Sequence, residues 1–439
     1  MTMAVEAKGA AASAGGRNPS KRALRGLDAL NFFLADVRDG LGPYLAIYLL
    51  AVRGPEQGWN EATIGLVMTI AGIVGLIAQT PAGALIDRGR HKPAIVIAAA
   101  VAVTLSCVVL PFISNFYLVV GTQSLAAIAG AIFPPALAAI TLGLVGPKMF
   151  SKRIGRNEAF NHLGNAVSAA IAGGTAYFFG PVVVFWLMAI LAVFSIGAML
   201  MVPEKEIDDD LARGLDEAVD DEKPSGFAAL LKNRHLMLFA LLCAVFHLAN
   251  AAMLTSVGQL LTRVVGKEQA TSLVAVCIVA AQCVMVPMAL LVGAKVDGWG
   301  RKPLFLLAFG VLALRGALYV VSDNPFWLVA VQALDGVGAG IFGALFPIVV
   351  ADLTRGTGRF NVSQGAVATF QGVGASMSAS LAGVIIVQAS YSAAFLTLAA
   401  IAAAGLVLYI VAMPETRDYQ PPTDHEAAPV SGGAGEKVA

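Results

Sequence analysis

Two carboxylates and a guanidinium interrupt the first long apolar stretch of the chain, which reads Asn31-Phe-Phe-Leu-Ala-Asp36-Val-Arg38-Asp39. Asp36 and Asp39 are three residues apart, so on a helix they share a face. Arg38 points away from Asp36 and flanks Asp39 at about 100° around the axis. Two acids close together in apolar surroundings hinder each other's ionisation, and desolvation adds to the effect. The chemistry such a pair offers is the uptake and release of a proton. Asp36 is the expected carrier, with Asp39 held ionised by Arg38. The alternative is a structural Asp–Arg cluster that locks helix to helix. Gly40, Gly42 and Pro43 loosen the helix beside Tyr44.

A second polar set lies 211 residues on, where His247 stands opposite Asp36 and Asn250 opposite Asp39. Histidine titrates near neutral pH, so His247 joins the proton-coupling residues; a satisfied structural histidine is the other reading. Asn161, His162 and Asn165 fall on one helical face, and Glu158 before them is expected to pair with Arg156 or Arg153. With Asn31, Tyr44, Gln123, Asn250, Gln282 and Gln371, these amides and His162 are the candidates for a polar cavity. Arg315 and Asp335 lie on consecutive apolar stretches joined by a short turn and are expected to form a buried structural pair.

Composition says what must position these residues. Of 439 residues, 58% are hydrophobic and 13% charged, where a soluble domain carries about 25% charged residues. So few charges cannot cover a water-facing surface, and the chain reads as an integral membrane protein. A net charge of +1 points to no nucleic-acid partner. Cys107, Cys243, Cys277 and Cys283 fall inside apolar runs and read as small hydrophobes. No metal-ligand spacing, phosphate loop or nucleophile–base set stands out, so no metal, cofactor or enzymatic activity is expected, and no cleaved signal peptide is read at the start.

Twelve stretches are long enough to cross roughly 30 Å of hydrocarbon as helices. They are 27–51, 61–85, 93–113, 116–145, 155–178, 181–202, 235–262, 269–294, 303–322, 326–352, 361–388 and 391–413. The expected organisation is a cytoplasmic N-terminal tail 1–24, a bundle 25–202, an acidic linker 203–234, a bundle 235–413 and a tail 414–439. Lys and Arg concentrate in one set of short loops, which puts those loops, the linker and both tails in the cytoplasm. The expected location is a bacterial inner membrane.

The two bundles are copies. Gly83-Ala-Leu-Ile-Asp87-Arg88 and Gly293-Ala-Lys-Val-Asp297-Gly-Trp-Gly300-Arg301-Lys302 both open Gly-x-x-x-Asp, 210 residues apart. Phe160-Asn161-His162-Leu-Gly164 echoes as Phe370-Gln371-Gly-Val-Gly374 at the same offset, and Gln123 echoes as Gln332 within one residue of it. A nearly constant offset at three places means an internal duplication.

Twelve helices in two six-helix halves, a long linker, and this loop after the second helix of each half resemble the major facilitator superfamily of secondary transporters. The copy at 293–302 matches the family loop in full; in the copy at 83–92 the second glycine, Gly89, comes one place early. The resemblance implies a conformational latch built from Gly83, Asp87, Arg88, Gly293, Asp297, Gly300 and Arg301. Gln123 stands where the family's exporters often carry an arginine, and their fifth-helix signature survives only as Gly173-Gly174. The expected fold is an all-α membrane protein of two pseudo-symmetric six-helix bundles. The expected function is movement of a small organic solute by alternating access, with protons as the coupled partner, the lipid bilayer as the solvent and a monomer as the working unit. Export leads, uptake by symport is the runner-up, and a non-transporting membrane sensor or scaffold is the alternative from another class.

Overall fold

A computed structural model describes residues 19–39, 45, 48–53, 57–59, 61–179, 182–215, 232–265 and 267–419. Tyr44, with Gly40, Gly42 and Pro43, lies outside the described residues, as does the side chain of Asp39.

The described chain is helical almost throughout. In order come α1 (Lys21–Asp39), α2 (Glu61–Arg88), α3 (Lys92–Val108), α4 (Phe116–Gly130), α5 (Phe133–Phe179) and α6 (Val183–Leu200). After the linker follow α7 (Arg234–Val265), α8 (Lys267–Trp299), α9 (Arg301–Leu318), α10 (Pro325–Gln332), α11 (Asp335–Leu353), α12 (Phe360–Gln388) and α13 (Tyr391–Ala412). Helices suit these sequences because hydrocarbon offers no partner for a backbone N–H or C=O, so each segment must satisfy its own.

Nine helical segments among the described residues are long and apolar enough to cross a membrane. One of them, Phe116–Ala176, contains two of the expected spans. They part at Gly146-Pro147, where φ is 70° and the proline has no N–H to continue the ladder. Two more expected spans fall outside that set. The first lies on α1 and the residues after it; the ninth lies on α9, which carries Arg301, Lys302 and Arg315. Twelve spans are consistent with this arrangement.

Two apolar cores result. One gathers buried residues of α1 to α6, such as Leu27, Leu30, Leu34 and Val37, whose spacing puts them on one stripe of α1. The other gathers α7 to α13 and takes in Phe150 and Ile154 of α5. Ile77, Leu105, Val193 and Val411 stay exposed on the outer faces, as lipid contact permits. The duplication extends to the caps. Asn115 caps α4 by accepting from Tyr117 N and Leu118 N, and Asn324 caps α10 by accepting from Phe326 N and Trp327 N.

The halves meet through α2 against α12 and α5 against α8. The first linker residues do not float free. Asp208 N donates to Gly143 O at 3.1 Å, and Asp209–Ala212 forms one helical turn capped by Asp208. Carbonyls of Ala212, Arg213 and Gly214 then accept from Asn361 Nδ2, Phe360 N and Gly356 N at 2.9, 3.1 and 2.7 Å. Residues 208–214 thus tie one half to the other. The expectation was a solvated acidic linker, partly helical at most; backbone groups and Lys92 take up this first part of it.

Candidate functional site

The latch end is built from two close approaches. A Cβ on Gly83 would run into the Asn361 carbonyl oxygen and come within 2.8 Å of Val362 Cα, so only hydrogen fits where α2 crosses α12. That closeness delivers Asp87, one turn on, to the first turn of α12. Its Oδ1 accepts from Asn361 N at 3.2 Å and Asn361 Nδ2 at 2.8 Å, and its Oδ2 accepts from Val362 N at 2.9 Å. Helix-terminal N–H groups have no intrahelical acceptor and carry the positive end of the dipole, so a buried carboxylate belongs there. Arg88 beside it is exposed.

Across the pseudo-symmetry, a Cβ on Gly293 of α8 would lie 3.0 Å from Gly155 Cα of α5. Asp297 nevertheless does not repeat the role of Asp87. Its side chain is 55% exposed and accepts from Arg301 Nη1 at 3.0 Å within its own half. Arg301 is buried and gives its Nε to Asp352 Oδ2 at 2.8 Å. Gly300 takes φ +90°, a left-handed turn that glycine adopts without strain, and α9 starts at once. The open N-terminus of α9 is capped by Glu415, which accepts from Arg301 N at 2.8 Å and Lys302 N at 3.0 Å. Burial pushes this carboxyl up, but the N–H groups of Arg301, Lys302, Arg417 and Thr416 outweigh it and hold the group below its ordinary value.

Glu415 was not foreseen, although a signal for it exists. Pro203-Glu204 echoes as Pro414-Glu415 at the offset of 211. Glu204 meets His91 and Asp209 meets the buried Lys92 at 2.6 Å, so in each half the stretch after the sixth helix fastens onto that half's own latch loop. Residues 414–419, the first of the expected C-terminal tail, are bonded to the second half through Glu415, Thr416 to Asp352 at 3.3 Å and Tyr419 to His235 at 3.1 Å.

Between the halves lies a cavity of about 410 Å³. Asn31, Arg38 and Asn157 contribute from one half, and His247, Gln364 and Gln371 from the other. Asn31 anchors its own amide to Leu27 O at 2.8 Å. His247 donates Nδ1–H to Cys243 O at 2.9 Å and packs edge-on to Phe342, which leaves Nε2 as an acceptor. Asn157 carries a buried amide oxygen with no hydrogen-bond partner. His162 Nδ1 meets Gln282 Oε1 at 2.9 Å and joins α5 to α8. Glu158 lines the cavity and accepts from Asn161 at 3.5 Å.

The sequence of this chain matches the profile of the Major Facilitator Superfamily over residues 28–314 and 268–436. The chain belongs to the major facilitator superfamily. Two proteins described as uncharacterized MFS-type transporters, from two strains of Mycobacterium tuberculosis, are 55% identical over 399 residues, covering 90% of this chain and 94% of theirs. The solved structure of the proton:xylose symporter XylE bound to 6-bromo-6-deoxy-D-glucose superposes with a TM-score of 0.68 at 13% identity, covering 90% of this chain and 95% of that one. That likeness speaks for the fold.

In this superfamily member several expected side chains do not gather at the cavity. Asp36 lines neither this cavity nor the one described below. It lies two residues, about 200°, from Arg38, so the stripe of Asn31 and Arg38 that faces inward turns it away. Asn250 accepts from Arg315 Nη2 at 2.6 Å instead of lining the cavity. Arg315, 2% exposed, also contacts Asp335, whose other oxygen accepts from Gln332 at 3.2 Å. Asn161 is buried beside Glu158 and Asn165 is half-buried, neither lining the cavity. Gln123 faces a neighbouring cavity of the first half. Arg153 and Arg156 do not take Glu158 as partner; both bind Asp28 of α1, Arg156 with two bonds of 2.9 and 2.8 Å. A fork-to-fork pair within reach outcompetes a glutamate pointing inward.

Proposed function

We propose that this superfamily member is a proton-coupled exporter of a small organic solute, alternating access around the cavity between its halves. The observation that carries the reading is that both halves supply polar walls to one cavity while Asp87 and the α12 terminus hold the latch end together. A site shared by two bodies is released when they rock apart. Asp36 is assigned as the proton carrier, with Arg38 ordering Asp39; Glu158 is a second candidate because it lines the cavity. The bilayer is the bacterial inner membrane, the working unit a monomer, and the linker and both termini are cytoplasmic.

The deciding experiment is flux of a solute panel in membrane vesicles of both orientations, with and without a protonophore. Export by antiport predicts accumulation in inverted vesicles with an acid lumen. Accumulation in right-side-out vesicles with acid outside reverses the direction to symport. Flux indifferent to the protonophore removes the proton, and no exchange of any panel member overturns the transporter reading. A reporter active only outside the cytoplasm, fused at Asp216, is expected to stay silent.

A further inference from the structure

We infer that the solute is an organic cation, its ammonium group seated on Glu158 and its apolar body lying along Phe342 and Phe346. This deepens the transporter reading and rests on it. The central cavity, at about 410 Å³, falls in the range of ligand pockets, roughly 300–1,000 Å³. Glu158 is half-buried and is the acid among the residues that wall it. The arginines just before it in sequence are taken, since Arg153 and Arg156 both bind Asp28. Among the described residues no ion pair holds Glu158. The hydrogen bond it accepts comes from Asn161 Nδ2 at 3.5 Å, the far limit of such a contact. A carboxylate drawn out of bulk water is costly to leave without a counter-charge, and a cationic solute supplies one.

The surroundings suit an ammonium group. Asn157, 2% exposed, lines the same cavity with an amide oxygen that has no hydrogen-bond partner, and His247 offers Nε2 as an acceptor. An ammonium group only donates, so acceptors are what it requires. Glycine at 343 lets the second half approach the carboxylate, for a Cβ there would lie 3.7 Å from Glu158 Oε2. Phe342 and Phe346 stand on either side of that glycine along α11 and both line the cavity. Their rings are stacked, with centroids 6.2 Å apart and planes 7° from parallel. An aromatic face attracts a cation and also packs against hydrocarbon. Arg38 lines the cavity too, but it is engaged within the protein and lies at the other end, where it also lines the neighbouring first-half cavity. α1 and α5 run in one direction, from the Asp28–Arg156 pair to the crossing at Phe32 and Gly164. Glu158 comes six residues before that crossing and Arg38 six after it, about 9 Å of helix rise on either side. The end of the cavity next to the latch therefore carries an uncompensated negative charge, which draws a cation and repels an anion.

The probes are hexylammonium, methylammonium, hexan-1-ol and hexanoate. Their binding to the purified full chain is measured by calorimetry in nanodiscs of zwitterionic lipid, with empty nanodiscs as the blank. Hexylammonium is expected to bind about tenfold more tightly than each of the other three, since it alone has both the positive charge and the apolar body. Glu158→Gln should weaken hexylammonium by about tenfold and change hexan-1-ol by no more than about twofold. Glu158→Asp, which keeps the charge one methylene further back, should retain part of the affinity. Phe346→Leu, measured beside them in case Glu158→Gln fails to fold, should weaken hexylammonium about threefold. Hexan-1-ol or hexanoate binding as tightly as hexylammonium overturns the inference, as does hexylammonium binding that ignores Glu158 and Phe346. Exchange flux in proteoliposomes separates the two readings. Hexylammonium bound as described but never exchanged sinks transport and leaves the cation seat, while exchange of anions without hexylammonium binding sinks the cation seat and leaves transport.

Discussion

Asp87→Asn should loosen the latch by a calculable amount. The carboxylate accepts from three donors at 2.8 to 3.2 Å, and an asparagine keeps a single accepting oxygen and no charge. A hydrogen bond to a charged group contributes about 1.5–3 kcal/mol and a neutral one about 0.5–1.5. A charge at a helix N-terminus adds about 0.3–1 kcal/mol, up to ~2 when partly buried. Losing one bond alone should cost the closed form at least about 1.5 kcal/mol, and the charge lost from the other bonds and from the helix terminus adds to it, so the opening equilibrium should rise by at least about tenfold. Ser363, on the first turn of α12 and 1% exposed, is a near-isosteric place for a reporter thiol. With the four native cysteines replaced, Ser363→Cys should react with a water-soluble maleimide faster in Asp87→Asn by that factor, because labelling follows the open population when opening is rapid. Asp297→Asn, whose side chain is exposed and stays within its own half, should change the rate by no more than about twofold. Equal labelling in Asp87→Asn and the parent, or an equal rise from Asp297→Asn, would refute the reasoning.

Asp36→Asn is expected to abolish gradient-driven flux while keeping counterflow, and Asp39→Asn to damage both; full accumulation by Asp36→Asn in proteoliposomes ends its role as carrier. Asp335→Asn should lower the yield of folded protein, because it strands the buried Arg315 at a cost of about 3–5 kcal/mol, and Arg315→Met with Asp335→Asn should recover part of it. Monodisperse yield by size-exclusion chromatography reports both. The folded-state value of Glu415 lies below its ordinary 4.5, so its stabilisation is complete above that pH and is lost as pH falls through the folded value. Glu415→Gln should therefore lower the melting temperature near neutrality and flatten its decline in acid.

The fold was legible because three echoes at nearly one offset and a run of apolar stretches constrain a membrane chain severely. The site was legible in depth and not in azimuth. An offset of 211 matches His247 and Asn250 to Asp36 and Asp39 in height, yet His247 reaches the cavity while Asn250, roughly 60° round the helix, accepts from Arg315. Which stripe of α1 faces inward is decided by packing of Leu27, Leu30, Leu34 and Val37, and that choice carries Arg38 in and Asp36 away. Asp28 takes both arginines that Glu158 was expected to hold. Its claim on Arg153 and Arg156 depends on how α1 and α5 cross, where Gly164 has room for no Cβ against Phe32. Repeated Pro-Glu pairs were readable in principle, since glutamate after the last apolar residue is an unattached acceptor near an uncapped helix.

The linker carbonyls of Ala212, Arg213 and Gly214 hold the start of α12 and the turn before it by three hydrogen bonds, beside the residues that Asp87 holds. Opening at that end has to part these bonds or the bond from Asp208 N to Gly143 O that anchors the same stretch to the first half. The equilibrium between the two states is therefore linked to whatever else the linker touches. Any molecule that prefers the fastened linker must hold the latch end shut to the same degree, and any that prefers the released linker must favour opening, since coupling between two sites is reciprocal. An antibody fragment raised against residues 203–215 would act as an effector of a pathway it never enters.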